Sequence, residues 1–371
     1  MAQITKDSAY DAVDPKDFPA MLEPGRYGAR STAFDKIISA THDHFWDPLD
    51  KKYIDFTEAF DHTQDMMLPE EFFPIFKTRI GDTMTREQKI KFASESTRWQ
   101  LSAILHGEQG ALALSASLCH ILKDPGAQEY AANQTREEAR HVTAFASYIK
   151  ARWGSPLPCG ETLKNLLTEM VLAPDVYKKI VGMQMLVEGL AMGAFATLYQ
   201  KSNDPLLRKL CQLVMTDEAF HHKFGKIWAD RTIPKLTKEE HNIVEDWAAQ
   251  CFQTLLFNLM NPEQMKVVYQ QVGIDWQDAM AAMQEAFTDD DRREQMKEGA
   301  NIFRVLIKTL VNAGIITERT KSFYAMYVDM DALKNEGERM VGDDIAEEGI
   351  RFLQTINFSD SKGGAALLAA E

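Results

Sequence analysis

Six residues carry most of the chemistry open to this chain: Glu108, Glu138, His141, Glu188, Glu218 and His221. They form two copies of one pattern, a lone Glu followed 30 residues later by Glu-x-x-His, and the second copy repeats the first at an offset of 80 residues. An Asp-Pro pair marks the same place in each half, Asp124-Pro125 and Asp204-Pro205. A Glu from each of two helices, with Glu-x-x-His from each of two others, is the ligand set with which four-helix bundles hold two iron or manganese ions. Carboxylate oxygen and imidazole nitrogen suit those metals, and the set exceeds the needs of a four-coordinate structural zinc site. Four carboxylates neutralise a 2+/2+ pair, whereas so many buried acids without cations would be costly.

Helix geometry says what must position them. At a rise of about 1.5 Å per residue, Glu108 lies about 24 Å before Asp124 and Glu138 about 21 Å after it, so a reversal there brings both acids to one level. The second half repeats this around Asp204-Pro205, where Asp can cap a new helix and Pro fits its first position. Glu138 and His141, like Glu218 and His221, are three apart and share a helical face. Apolar runs surround the lone acids, as in Leu186-Val187-Glu188-Gly189-Leu190, and a carboxylate set in such a run is not expected to face water. The expected metal-bearing helices are 85–122, 125–152, 174–202 and 205–231, with a short helix at 161–172 crossing between the halves.

The segments Glu137-Glu138-Ala139-Arg140-His141 and Asp217-Glu218-Ala219-Phe220-His221 resemble the ferritin-like di-iron carboxylate proteins in their oxygen-activating branch. That branch includes multicomponent monooxygenase hydroxylases, acyl-carrier desaturases, aryl-amine N-oxygenases and ribonucleotide reductase small subunits, and the resemblance spans about residues 85–231. It implies that Glu108, Glu138 and His141 bind one metal and Glu188, Glu218 and His221 the other, with at least one Glu bridging. Asp217 and Glu137 would accept hydrogen bonds from His141 and His221 respectively, fixing the ring tautomers. The implied function is that of an O2-dependent oxidoreductase, a monooxygenase, hydroxylase or N-oxygenase. It would act through a peroxo or high-valent di-iron oxidant on a small, largely apolar organic substrate. The alternative is a ribonucleotide-reductase-like subunit or a Mn/Fe ligand-binding oxidase. Phe145 stands where radical-generating subunits carry Tyr, Met192 where the hydroxylases carry Thr, and Val214 where the N-oxygenases carry an additional His. His222 points about 100° from His221 and is read as lying outside the ligand set. Residues one helical turn from the ligands, Gly107, Leu112, Phe145, Gln184, Met185, Met192 and Met215, are mostly apolar and deformable, and the last six are the expected substrate pocket. Without a flavin or ferredoxin motif, electrons are expected from an external reductase or ferredoxin.

The whole is read as all-α: a ferritin-like four-helix bundle at 85–231, preceded by an arm and short helices over 1–84 and followed by a helical extension at 232–357 and a flexible tail at 358–371. Short helices are expected at 31–46 and 69–79. Beyond Pro234, helical patterns fall at 237–259, 262–273, 275–287, 290–312, 316–328 and 331–356, as extra packing and a wall over the substrate cavity. A net charge of −14 argues against binding nucleic acid or anionic membranes. Cys119, Cys159, Cys211 and Cys251 are too dispersed for a zinc ribbon or disulfide scaffold. The first 20 residues show no secretory pattern, and the most apolar helix, near 181–199, is interrupted by Gln184 and Glu188. These features lead to the expectation of a cytoplasmic protein, with a homodimer as the default assembly.

Overall fold

The computed structural model describes residues 10–288, 302–334, 339 and 342–358. Helix α1 (Asp35–Asp43) follows a 3-10 turn at Thr32–Phe34 and leads into a long irregular segment. Four long helices then form the core: α2 (Arg86–Ile121), α3 (Pro125–Trp153), α5 (Val176–Lys201) and α6 (Pro205–Thr232), with α4 (Glu161–Leu172) between the pairs. Beyond them lie α7 (Lys238–Met260), α8 (Trp276–Ala286), α9 (Ile302–Asn312) and α10 (Asp343–Phe358). Among the described residues the only β-pairing is an isolated bridge between Ala12 and Leu122.

Local chemistry explains the boundaries. Thr85 caps α2 in a full capping box with Gln88, satisfying two of the amides that a helix start leaves open. Asp124 accepts from Gly126 N and Asp204 from Leu206 N, each with Pro at the first helical position, so both reversals are built alike. Gly154 ends α3 at φ 83°.

Two apolar clusters fill the bundle, one at each end. The first joins Leu114 and Leu118 of α2 to Tyr130, Val181, Phe224 and Trp228. The second joins Leu101 and Leu105 of α2 to Phe145, Phe195, Leu207 and Leu210. The α2–α3 reversal therefore lies at the first end and the α5–α6 reversal at the second. Helix α3 finishes at the second end and α5 starts at the first, so the chain must travel back along the bundle. Helix α4 makes that return, packed on α2 with Leu163, Leu166 and Met170 in the first cluster. Helix α10 runs along α6, α9 packs on α5, and α7 packs on α4 and α5.

Several expectations give way. The helix expected at 69–79 is two 3-10 turns, Glu70–Phe72 and Pro74–Lys77, then Arg79–Thr83, because Pro74 forces Phe73 out of helical geometry at φ −117°, ψ 86°. The arm before residue 25 contains short turns at Phe18–Met21 and Pro24–Tyr27. Only Lys321–Tyr324 of 316–328 is helical, since Glu245 ties the Thr317 amide and hydroxyl, the Thr320 hydroxyl and Arg319 into turns. The 262–273 stretch starts as a 3-10 turn at Pro262–Met265, and 331–356 is Met330–Lys334 and α10, the latter beginning after Gly342 at φ 96°. Of the expected tail, Phe358 closes α10 and the remainder lies outside the described residues, as do 289–301. Helix α5 is not regular either, for Ile180–Val187 is wound as a π-helix. Long and apolar enough to cross a membrane, with a mean hydropathy of 1.4, α5 has 72% of its most apolar window buried inside the protein.

Candidate metal centre

At mid-height, between the two apolar clusters, the four long helices turn Glu108, Glu138, His141, Glu188, Glu218 and His221 toward one another. None is more than 5% exposed, and Glu138, His141 and His221 are fully buried. Nδ1 of His141 stands 3.2 Å from Glu108 Oε2, 3.2 Å from Glu218 Oε1 and 3.4 Å from Glu138 Oε2. Nδ1 of His221 stands 3.0 Å from Glu138 Oε1 and 3.3 Å from Glu218 Oε2. Ligand-type atoms thus form two groups, Glu108/Glu138/His141/Glu218 and Glu138/Glu188/His221. Glu138 belongs to both groups, and Glu138 and Glu218 each turn one oxygen to either imidazole.

A second layer orients the rings. His141 Nε2 donates to Asp217 Oδ2 at 2.9 Å, and His221 Nε2 donates to Glu137 Oε2 at 2.9 Å. Asp217 is fully buried and also accepts from Arg140 Nε at 3.0 Å and Trp46 Nε1 at 2.9 Å, with His44 Nε2 at 3.4 Å. Arg140 lies 3.6 Å from Glu137 and over the face of Trp46, whose ring stacks on His141. The guanidinium is the counter-ion of this outer layer, so the neighbouring His44, Glu137 and Asp217 need no metal of their own. Burial opposes ionisation of Asp217, but Arg140 and His141 hold its pKa well below the usual carboxylate range. Gln134, one turn before Glu138, donates to Glu188 Oε1 at 2.8 Å and Glu138 Oε1 at 3.2 Å.

The donor set fits two divalent cations. With each Nε2–H committed to a carboxylate, each Nδ1 faces glutamate oxygens about 3 Å away, an arrangement that calls for positive charge between them, whether a metal ion or a proton. Protein groups alone leave the cluster poorly matched: burial pushes Glu108 and Glu188 well up, toward their protonated forms, and Glu138 Oε2 and Glu188 Oε2 have no hydrogen-bond partner. Hard oxygens with two imidazoles are iron or manganese ligands.

A cavity of about 300 Å³ opens on this centre, with Glu108, Glu188 and Glu218 in its wall. Helices α2 and α5 make its long sides, and Phe72, Leu163, Leu255 and Met265 close it from α4, α7 and the flanking turns. Both the N-terminal region and the C-terminal extension therefore wall it. Of the residues singled out one turn from the ligands, Gly107 lines this cavity, whereas Leu112, Phe145, Gln184, Met185, Met192 and Met215 do not. One turn of helix fixes height but not which flank of the ligand a side chain covers. Phe145 stacks on Phe195 in the core, Gln184 is wholly buried, and Met215 is fully buried in the second cluster. Met185 and Met192 face a separate cavity on the α9 and α10 side, shared with His222, whose Nε2 lies 3.1 Å from Thr309 Oγ1. Trp46, His44, Gln134 and Arg140 were not singled out from the sequence. Of these, Gln134 had a signal, lying four residues before Glu138 on the same face.

A bundle of four long helices that buries a carboxylate and histidine cluster suited to two metals defines a di-metal carboxylate protein. The family described as p-aminobenzoate N-oxygenase AurF matches residues 28–310, and the chain belongs to this family of di-iron oxygenases. Comparison with curated proteins gives no match. Among solved structures, a variant of an R2-like ligand-binding oxidase with an aerobically reconstituted Mn/Fe cofactor is similar at a TM-score of 0.38 and 14% identity, covering 88% of this chain and 93% of that one.

Proposed function

We propose that this chain transfers one oxygen atom of O2 to a small organic amine in the cavity, and that Glu108, Glu138, His141, Glu188, Glu218 and His221 would hold the di-iron pair this chemistry needs. The observation that carries this reading is the opening of that cavity directly onto Glu108, Glu188 and Glu218. The family's name supplies the amine nitrogen as the first position to test. Bound here, the di-iron pair supplies the reduction of O2 and the oxygen-atom transfer. The balance is RNH2 + O2 + 2 electrons + 2 protons giving RNHOH + H2O, with the electrons from an external reductase or ferredoxin.

The protein's own part is positioning and dryness. Glu138 and Glu218, each facing both imidazoles, would help hold both ions, Asp217 and Glu137 keep each ring presenting Nδ1 inward, and Gln134 holds Glu188 in place. Trp46 and the apolar clusters keep water from the ligands. A cytoplasmic homodimer is the assembly consistent with an acidic chain whose most apolar helix is buried.

The test is a single turnover with 18O2 on protein loaded with ferrous iron, given aniline and a chemical reductant. Labelled N-phenylhydroxylamine with two irons per chain is the expected result. Two irons per chain with no oxygenated product from aniline or related arylamines would sink the reading.

A further inference from the structure

We infer that the substrate is an elongated arylamine, about two rings long, with its amine at the metal end of the cavity and a hydrogen-bond acceptor at the other. The inference rests on the oxygenase reading above and deepens it by fixing the length and polarity of the amine. The cavity is a trough between α2 and α5, which run in opposite directions between the two apolar clusters. On α2 its lining extends from Ala111 back to Trp99 and on α5 from Val187 on to Leu198, a length of about 16–18 Å. Glu108 and Glu188 both lie near one end, beside Ala111 and Val187. From these acids the trough continues for about 12–15 Å to Trp99 and Leu198, where Leu68 and Phe72 also line it.

Polar groups mark both ends of the trough. Apart from the three acids, the described lining residues able to hydrogen-bond a ligand through their side chains are Trp99, Gln100 and Thr197. Gln100 stands about 12 Å before Glu108 on α2 and Thr197 about 14 Å after Glu188 on the antiparallel α5, which brings them to one level. Trp99 and Gln100 carry N–H donors there, while the Thr197 hydroxyl already donates to Gly193 O at 2.9 Å. None of the three belongs to the metal-binding groups, so filling the centre leaves them available to a substrate. Between the ends stand Ala103, Ile104, Leu190, Ala191 and Ala194, an apolar stretch of mostly small side chains suited to the faces of flat rings. Size points the same way. A one-ring amine, on the order of 100 Å³, leaves most of a cavity of about 300 Å³ unfilled. A second ring fills the apolar stretch and carries an acceptor on to Trp99 and Gln100.

The test uses iron-loaded protein and two probes that differ by one ring, 4-aminobenzamide and 4′-aminobiphenyl-4-carboxamide, with affinities read by calorimetry. The longer amide is expected to bind about tenfold or more tighter. Ala103→Phe and, on the facing helix, Ala194→Phe each place a ring in the middle of the trough, and either should bring the two affinities within about threefold. Trp99→Phe combined with Gln100→Leu removes both N–H donors and should weaken the longer amide more than the shorter. Equal or tighter binding of the shorter amide, binding of neither, an advantage that survives both alanine substitutions, or equal losses on removing the donors overturns the inference. The comparison in the parent protein stands by itself should a variant fail to fold. Product analysis with 18O2 reports on the oxygenase reading separately: a tightly held longer amide that is never oxygenated removes that reading, and oxygenation of both amides with no preference for length removes only the present claim.

Discussion

Asp217 holds His141 through a 2.9 Å hydrogen bond from Nε2, so the histidine of the first half is oriented by the acid that precedes the glutamate of the second. The relation is reciprocal, for Glu137 of the first half holds His221 of the second. Neither half of the repeated pattern has an oriented histidine by itself.

Asp217→Asn and Glu137→Gln keep the shape of these acceptors but remove the charge that stabilises the Nε2–H tautomer. Each variant is expected to bind iron about 10- to 100-fold more weakly while remaining helical. Chelator competition, with circular dichroism as the control for folding, measures this. A variant that melts earlier but holds iron as tightly as the parent would show the acids to be structural only.

The shared position of Glu138 and Glu218 predicts unequal losses on truncation. Glu138→Ala and Glu218→Ala each remove a carboxylate that faces both imidazoles, and dialysed protein should retain neither ion. Glu188→Ala removes a carboxylate grouped with His221 but not with His141, and this variant should retain one. Metal content per chain decides between this pattern and six equivalent ligands.

The two Asp-Pro reversals look alike in sequence but not in energy. Asp204 is fully buried and accepts from Arg152 at 2.8 and 3.1 Å and from the Tyr148 hydroxyl at 2.7 Å, besides capping α6. Asp204→Ala strands the Arg152 charge and is expected to cost about 3–5 kcal/mol. Asp124 caps α3 and lies 3.5 Å from a half-exposed Arg231, so Asp124→Ala should cost about 1 kcal/mol. Urea unfolding of both variants tests the difference.

Acid should loosen the packing of the turn at 317–320. Burial opposes ionisation of Glu245, but the Thr320 and Thr317 hydrogen bonds and Arg319 hold its pKa below the ordinary 4.5. A depressed carboxylate contributes stability that is complete above about pH 4.5 and is lost as pH falls through the folded-state value. Glu245→Gln should therefore be less stable than the parent at pH 7, by about 1–3 kcal/mol, with the gap closing below about pH 4. Melting temperatures measured across that range would show a constant gap if Glu245 acted by packing alone.

Much of the bundle is written in short-range chemistry. Thr85, Asp124-Pro125 and Asp204-Pro205 set helix starts that the structure reproduces within about a residue, and the 80-residue offset is enough to bring six polar side chains to one level. What escaped depends on the third dimension. Trp46 lies in a loop with no periodicity, and only the fold shows it fully buried against Asp217. The cavity was misplaced because spacing along a helix gives height and leaves open which flank faces α2, α5 or α9. Nothing in the apolar run around Gln184 distinguishes i→i+5 winding from an ordinary helix.

That winding breaks the likeness of the two halves. Glu108 rides a helix that is regular from Arg86 to Ile121, whereas Glu188 follows directly on the π-wound Ile180–Val187. A π-turn carries a residue more than the α-turn it replaces, so the two lone glutamates are delivered by backbones of different pitch and stiffness. A centre spelled twice in the same letters is thus mounted on two backbones of unlike winding.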